Sequence, residues 1–178
     1  MHNGMHFFEC PSCLCVRTTP LDRCVALQDL IRPWEVAHLL HRRRPVLLPV
    51  PRRARHQPRP SLTTQVAKFM GREFRYVADP PHCDRWCSPA ITLRDRAGDC
   101  DDLAIFAASL LIAGGVDAEV VAGNHCDHGK CGGHAWVEGW DQGGFFLLEA
   151  TSGRLLRHRP RAYIPQLHAS PGRCTIAA

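Results

Sequence analysis

Apolar residues along this chain fall into two textures that change near residue 60. In the first part, Val25, Leu27 and Leu30 recur at helical spacing. After Pro33, whose fixed φ suits a first helical residue, Val36, Ala37, Leu39 and Leu40 continue the pattern, so one or two helices are expected. From Ser61, a residue type suited to N-capping, a short helix is expected to about Gly71, followed by a strand over Phe74 to Val77. No internal repeat is present.

The strongest pattern runs from Cys100 to Ala113. Cys100, Leu103, Ala104, Ala107, Ala108 and Leu111 recur at helical spacing, and Ile105, Phe106, Leu110 and Ile112 make most of the remaining circumference apolar. A helix of that kind belongs inside a core. Asp99, Asp101 and Asp102 crowd its first turn, where carboxylates suit the positive end of the helix dipole, and Gly114-Gly115 supplies the stop.

Three strands are then expected, Ala118 to Ala122, His134 to Trp140 and Gly144 to Thr151, with Asp141-Gln142-Gly143 turning between the last two. A buried helix followed by an antiparallel meander is an α+β layout, with the helix packed on the sheet.

Composition adds bounds. The 178 residues suffice for one core with an appendage, and 45% hydrophobic with 22% charged residues is the balance of a soluble globular protein. No apolar run is long enough to cross a bilayer, which argues against a membrane role, and residues 1 to 16 lack the features of a secretory signal, which places the chain in the cytoplasm. The expected organisation is an N-terminal segment over 1–60, a catalytic domain over 61–168 and a C-terminal tail over 169–178.

The net charge of +5 is concentrated in Arg42, Arg43, Arg44, Arg52, Arg53, Arg55 and Arg59, interleaved with prolines. Such a stretch reads as a solvated linker, and with no aromatic side chains to stack on bases it argues against a nucleic-acid partner. The ten cysteines point, inside a cell, to metal binding, catalysis or burial.

Cys100 stands where the helix dipole and unpaired amides stabilise a thiolate, while the neighbouring aspartates oppose it. A partner base is therefore required, and His134 is the natural one. A hairpin pivoting about Asp141-Gln142 would pair His134 with Glu149, Trp136 with Leu147 and Glu138 with Phe145, which sets an acid beside the imidazole. A three-residue loop ending at Gly143 would instead send Glu149 to the opposite face unless a bulge restored the parity. Taken singly, a buried cysteine, a strand histidine and a strand-end glutamate are usually structural; it is their joint arrangement that points to chemistry.

The segments Gly98-Asp99-Cys100-Asp101-Asp102-Leu103-Ala104, Gly133-His134-Ala135-Trp136-Val137-Glu138 and Leu148-Glu149-Ala150-Thr151 resemble, in that order, the nucleophile, histidine and acid motifs of the transglutaminase-like superfamily. Phe74 to Asp79 and Asp84 to Pro89 are similar to the lead-in of its bacterial cysteine proteinases. The resemblance covers roughly Ser61 to Pro165. It implies a papain-like α+β core whose nucleophile helix packs on an antiparallel sheet, with Cys100 as nucleophile, His134 as acid and base, and Glu149 orienting the imidazole. The acid is usually aspartate in that superfamily, so Glu149 is a departure. Trp86 is a candidate for the oxyanion site beside the Cys100 amide. Asp99 and Asp101 match positions that bind calcium in some periplasmic proteinases of the family, or else they cap the helix.

If that fold holds, His82-Cys83, Cys87 and the loop from His125 to Gly133 lie near the active-site mouth. Cys83, Cys87, Cys126 and Cys131, with His128 as a substitute ligand, could then form a structural zinc site, a disulfide or thiols. Cys10-Pro11-Ser12-Cys13 with Cys15 resembles half of a zinc ribbon, to be completed by Cys24 or another chain. Catalysis itself requires no cofactor. The function expected is cysteine-dependent acyl transfer on a peptide or protein substrate, foremost hydrolysis of a peptide or amide through a Cys-His-Glu triad. The alternatives are protein-glutamine transglutamination and a non-catalytic zinc-binding or interaction module on the same fold.

Overall fold

The computed structural model describes residues 13–15, 20–39, 60–80 and 83–177. The Arg- and Pro-rich stretch at 42–59, expected to be a linker, lies outside the described residues, as do Cys10 and His82. Among the described residues, no helix is long and apolar enough to cross a membrane.

Strand β1 (Cys13–Cys15) pairs antiparallel with β3 (Arg85–Cys87). Helix α1 (Pro20–Leu30) buries Cys24, Ala26, Leu27 and Leu30, while Val25 points to solvent at 53% exposure, so the inward stripe excludes one residue that spacing had included. Helix α2, residues 33–39, starts at Pro33 as expected and buries Val36. Helix α1 lies against the far end of the sheet, where Cys24 is joined to Cys174 in a disulfide with a Cα separation of 5.7 Å.

Ser61 caps α3 (Leu62–Glu73) by accepting the Thr64 amide at 3.2 Å. The helix runs past Gly71, because that glycine answers a packing need and not a stop signal: a Cβ there would fall 2.7 Å from the Ser152 carbonyl oxygen. The strand expected over Phe74 to Val77 is shorter. Phe74 is the helix cap, and β2 (Arg75–Tyr76) pairs parallel with β4 (Ala97–Gly98). Between them lie β3 and helix α4 (Pro89–Asp95), neither of which the hydrophobic pattern foretold.

Helix α5 (Cys100–Ala113) starts and ends where the sequence placed it, and every residue from Asp101 to Leu111 is buried. It packs on β5 (Asp117–Asp127) and β6 (Lys130–Asp141) of a six-stranded antiparallel sheet. The sheet order is β10-β9-β5-β6-β7-β8, with β7 at Gly144–Glu149, β8 at Arg154–Leu156, β9 at Tyr163–Ser170 and β10 at Arg173–Ile176. Within the expected tail over 169–178, the described residues 169–177 finish β9 and supply edge strand β10, which the bridge to Cys24 holds in place. The architecture is α+β, with the nucleophile-bearing helix packed against an antiparallel sheet.

Two hairpins differ from expectation in instructive ways. The segment from His125 to Gly133 is no loop, since β5 and β6 continue through it to a two-residue turn at His128-Gly129, both with positive φ. Cys126 and Cys131 are directly opposed there and form a disulfide. The β6–β7 hairpin closes on Asp141 paired with Gly144, so Trp136 lies level with Glu149, and Glu138 pairs with Leu147. That register is two residues away from the pivot about Asp141-Gln142, and a shift of two preserves the face.

Along β6, Ala135 and Val137 join the main core with Leu103, Phe106, Leu111 and Leu148. The alternate residues lie over the other face, where Trp136 packs with Val121, Leu147 and Tyr163.

Gly71→Ala gives a test of the α3 packing. In an ordinary helix interior this change stabilises by up to about 1 kcal/mol. Here the added methyl meets backbone, and the substitution is expected to destabilise by about 1–3 kcal/mol in urea unfolding.

Candidate active site

The first turn of α5 shows why each residue around the thiol is what it is. Asp99 is the N-cap, and its Oδ1 accepts the amides of Asp101 at 3.2 Å and Asp102 at 3.4 Å, leaving that of Cys100 out of the cap. Gly98 makes room for Asp102, since a Cβ on Gly98 would fall 2.6 Å from the Asp102 Cβ. Asp102 in turn accepts the Cys87 amide at 2.7 Å, and so fixes β3 beside the helix turn that carries Cys100.

His134 enters from β6, opposite Gly123. Its ring stacks on Trp136 at 6.1 Å between centroids and stands 6.2 Å from Tyr163 and 5.7 Å from His125. Nε2 of His134 lies 2.7 Å from Glu149 Oε2, which leaves the other ring nitrogen for Cys100. Because Glu149 is level with Trp136, it reaches His134 on the diagonal, where a long side chain still bridges the gap. That placement gives a reason for glutamate at this position. The carboxylate is itself held, with Thr151 Oγ1 donating to Oε1 at 2.8 Å and the Tyr163 hydroxyl donating to Oε2 at 3.1 Å. Tyr163 carried no sequence signal of this role, because its strand had not been anticipated.

The electrostatics follow from these contacts. Burial alone would pull the His134 imidazole down, but its hydrogen bonds with Cys100 and Glu149 outweigh burial and push it up to about 10. Burial opposes the Glu149 charge too, yet the imidazole holds that carboxyl below the usual range. Burial and the nearby carboxylate push the Tyr163 phenol up to about 12, so it remains a donor. No imidazole is hydrogen-bonded to Asp101 or Asp102 in the helix turn. Burial, then contact with Asp99, drives Asp101 well up, and burial lifts Asp102 to about 7.

Cys100, His134, Asp99, Asp101 and Trp86 line one cleft of about 240 Å³, whose mouth is flanked by Tyr76, Arg23 and Asp84. Trp86 is 2% exposed, and its indole N–H donates to Asp84 Oδ1 at 2.8 Å. The indole is therefore spent on Asp84 and does not serve as the oxyanion donor expected of it; the Cys100 amide keeps that role open.

The four-cysteine zinc arrangement is also corrected. Cys126 and Cys131 are bonded to each other, and a disulfide sulfur is not a thiolate ligand. His128 is exposed at the hairpin tip, 3.5 Å from Asp127. Cys83 and Cys87 carry thiols near the cleft. Cys24, the proposed completion of the N-terminal zinc half-site, is bonded to Cys174. Among the described residues, one group could hold a metal: the ligand atoms of Asp99, Cys100 and Asp101 lie within 4.8 Å of one another.

Comparison with known proteins gives the family of this fold. The family model described as the transglutaminase-like superfamily matches residues 52–150, more than half of the 178. The chain belongs to the transglutaminase-like superfamily. No curated protein matches it. Among solved structures, it resembles a candidate cysteine protease from Cytophaga hutchinsonii, with 16% identity and a TM-score of 0.50 over 76% of this chain and 46% of that one. EGTA-treated LapG from Legionella pneumophila shares 17% identity, with a TM-score of 0.54 over 91% of this chain and 80% of that one. The periplasmic domain of Pseudomonas aeruginosa TgpA, bound to ethylmercury, aligns at 26% identity and a TM-score of 0.45 over 68% of this chain and 45% of that one. The first two likenesses establish the superfamily fold, and this chain spans less than half the length of the Cytophaga protein.

The raised imidazole yields a test that needs no substrate. His134 lies above its ordinary 6.5, so the stability it contributes is complete below pH 6.5 and is lost as pH rises through about 10. Proton NMR titration should place the His134 transition near 10, and Glu149→Gln should move it down and flatten the fall in unfolding free energy between pH 6.5 and 10.

Proposed function

We propose that this protein is a cysteine-dependent peptidase or amidase, with Cys100 as nucleophile, His134 as acid and base, and Glu149 orienting the imidazole. The observation that carries the reading is the His134–Glu149 hydrogen bond at 2.7 Å, which turns the remaining ring nitrogen to the thiol. In acylation, the Cys100 sulfur attacks the substrate carbonyl carbon and the carbonyl oxygen takes up the negative charge. The Cys100 amide, placed at the start of α5 and outside the cap, would receive it. His134 then gives its proton to the departing nitrogen, and the C–N bond breaks to leave a thioester. In deacylation a water loses a proton to His134, attacks the thioester and releases the carboxylic acid with the thiolate restored. Transamidation would replace that water with an amine. The cleft is open at its mouth, with Gly133, Arg23 and Asp84 solvent-accessible around it, which favours water as the acceptor.

Two disulfides in so small a chain also support an oxidising compartment over the cytoplasm expected from the sequence, since such bonds persist where thiols are not kept reduced.

Iodoacetamide separates the enzyme from a non-catalytic module. Cys100 is expected to be labelled ahead of Cys83 and Cys87 in mass mapping, and His134→Ala should slow its labelling by about 10- to 100-fold. Equal labelling of the three, or no effect of the histidine, would remove the basis for a thiol enzyme.

A calcium ion is a second element of the proposal, favoured by one buried atom. Asp101 Oδ1 has no hydrogen-bond partner, and a hard cation suits such an oxygen. Asp99 and Asp101 would hold the ion, which would supply positive charge against the acidic helix turn. Calcium chloride should raise the melting temperature of the wild-type protein and not that of Asp101→Asn; equal responses would count against the site.

A further inference from the structure

We propose that a structural zinc ion is held where β1 meets β3, by the thiolates of Cys10, Cys13, Cys83 and Cys87, and that it staples the N-terminal strand to the wall of the cleft. The site stands independently of the peptidase or amidase reading.

The cysteines divide by their place in the fold. Cys24 with Cys174 and Cys126 with Cys131 form disulfides, and Cys100 lines the cleft. The others are Cys10, Cys13, Cys15, Cys83 and Cys87, which fall in two short stretches, residues 10–15 and 83–87. The pairing of β1 with β3 joins those stretches, with Cys13 directly opposite Cys87 and Cys15 opposite Arg85. Directly opposed residues of an antiparallel pair share a face, with Cβ atoms about 4.5–5.5 Å apart. Sulfurs bound to one zinc at about 2.3 Å lie about 3.8 Å from each other, so a single metal suits such a pair.

Spacing supplies the remaining ligands. Cys10-Pro11-Ser12-Cys13 and the segment from Cys83 to Cys87 each separate their cysteines by an interval in the range that closes on one zinc. The half ribbon at the N-terminus, which Cys24 does not complete, thus meets a second half across the β1–β3 pair. Cys83 opens that second half, and its amide donates to the Pro80 carbonyl oxygen at 3.1 Å just before β3 begins. Cys10 enters the set by its spacing from Cys13 alone. Cys15 does not belong to it, because residues two apart on a strand are separated by about 6.6 Å, further than two sulfurs of one site.

The rival for Cys13 and Cys87 is a disulfide. Cys126 and Cys131 stand in the same directly opposed relation and have closed into one, whereas Cys87 remains a thiol. Cys87 is buried and Cys83 half-buried, which suits thiolates enclosed around a closed tetrahedral site. The strands themselves call for a crosslink. Each has three residues, and among the described strands they pair only with each other. A two-stranded ribbon of that size is marginal in water without a further tie. Four soft thiolates select zinc over hard cations, and each thiol gives up its proton to solvent as the metal binds.

The position of the staple gives it a purpose. Between Cys83 and Cys87 lie Asp84 and Trp86, which line the cleft. The Trp86 indole donates to Asp84, and Asp84 pairs with Arg23 at 3.3 Å. A metal gripping both ends of this segment fixes the cleft wall from the side away from α5, while the bond from the Cys87 amide to Asp102 fixes it from the side of α5.

The test uses the full chain, produced in zinc-supplemented medium and purified without chelator. Elemental analysis should find about one zinc per chain, retained in Cys15→Ser and Cys100→Ser and reduced about 10-fold or more in Cys83→Ser and Cys87→Ser. Two measurements on the wild-type protein do not depend on whether those variants fold. Cobalt exchanged for the zinc should give the intense visible absorption of a tetrahedral thiolate site. Iodoacetamide with mass mapping should label Cys10, Cys13, Cys83 and Cys87 about 10-fold faster after a zinc chelator is added, and Cys15 at an unchanged rate. Zinc-free wild-type protein, loss of the metal in Cys15→Ser or Cys100→Ser, a cobalt spectrum without thiolate character, or a Cys13–Cys87 disulfide in the mass map would each overturn the site.

Discussion

The position of Cys100 depends on the burial of α5. Residues Asp101 to Leu111 are enclosed on every side, so the helix has no solvent face along which it could slide or rotate without opening voids. The Asp99 cap fixes where its first turn begins, and the hydrogen bond from the Cys87 amide to Asp102 fastens that turn to the neighbouring strand. A sulfur on a surface helix could wander by more than the tolerance of a proton transfer. Here the core that stabilises the fold also sets the coordinates of Cys100, and the sheet beneath it sets those of His134.

The charges divide according to whether burial is compensated. Asp101, Asp102 and Glu149 crowd this region, and burial raises the energy of each anion. Glu149 alone has the imidazole at hydrogen-bonding distance, with Thr151 and Tyr163 as further donors, and it is the one held below the usual range. Asp101 and Asp102 are buried among one another and rise. Groups of one chemical type thus shift in opposite directions within one small region, according to whether hydrogen-bond donors compensate the cost of burial. The rise of Asp101 and Asp102 weakens the opposition that the sequence led one to expect from acids packed around the helix start.

What was legible in the sequence was the part governed by local rules. Helix α5, with its acidic start, apolar circumference and glycine stop, could be read directly, and the motifs around Cys100, His134 and Glu149 carried the superfamily resemblance. The face shared by His134 and Glu149 was also readable, because strand alternation survives a register error of two. The register itself was not, since choosing Gln142-Gly143 over Asp141-Gln142 as the turn depends on how Phe146 and Leu148 meet the core. Strands β8 to β10 are short or polar at alternate positions and are held by pairing with distant segments and by the bridge between Cys24 and Cys174. Long-range pairing leaves little trace in local pattern, and with β9 went Tyr163. The Trp86 assignment failed for a related reason: a residue type can suggest a donor, but only the fold shows that Asp84 already occupies it.

The glycines of this chain separate two demands that look identical in sequence. Gly71, Gly98, Gly123 and Gly139 are each pressed against a neighbouring atom of the protein, so their lack of a side chain serves folding. Gly132 and Gly133 are pressed against nothing, although they lie in a strand, where glycine costs conformational entropy and contributes no packing. The strand carries this cost next to His134, and the disulfide between Cys126 and Cys131 closes the hairpin just beyond it. The fold explains the closed glycines by itself, and at Gly132 and Gly133 it makes no such demand.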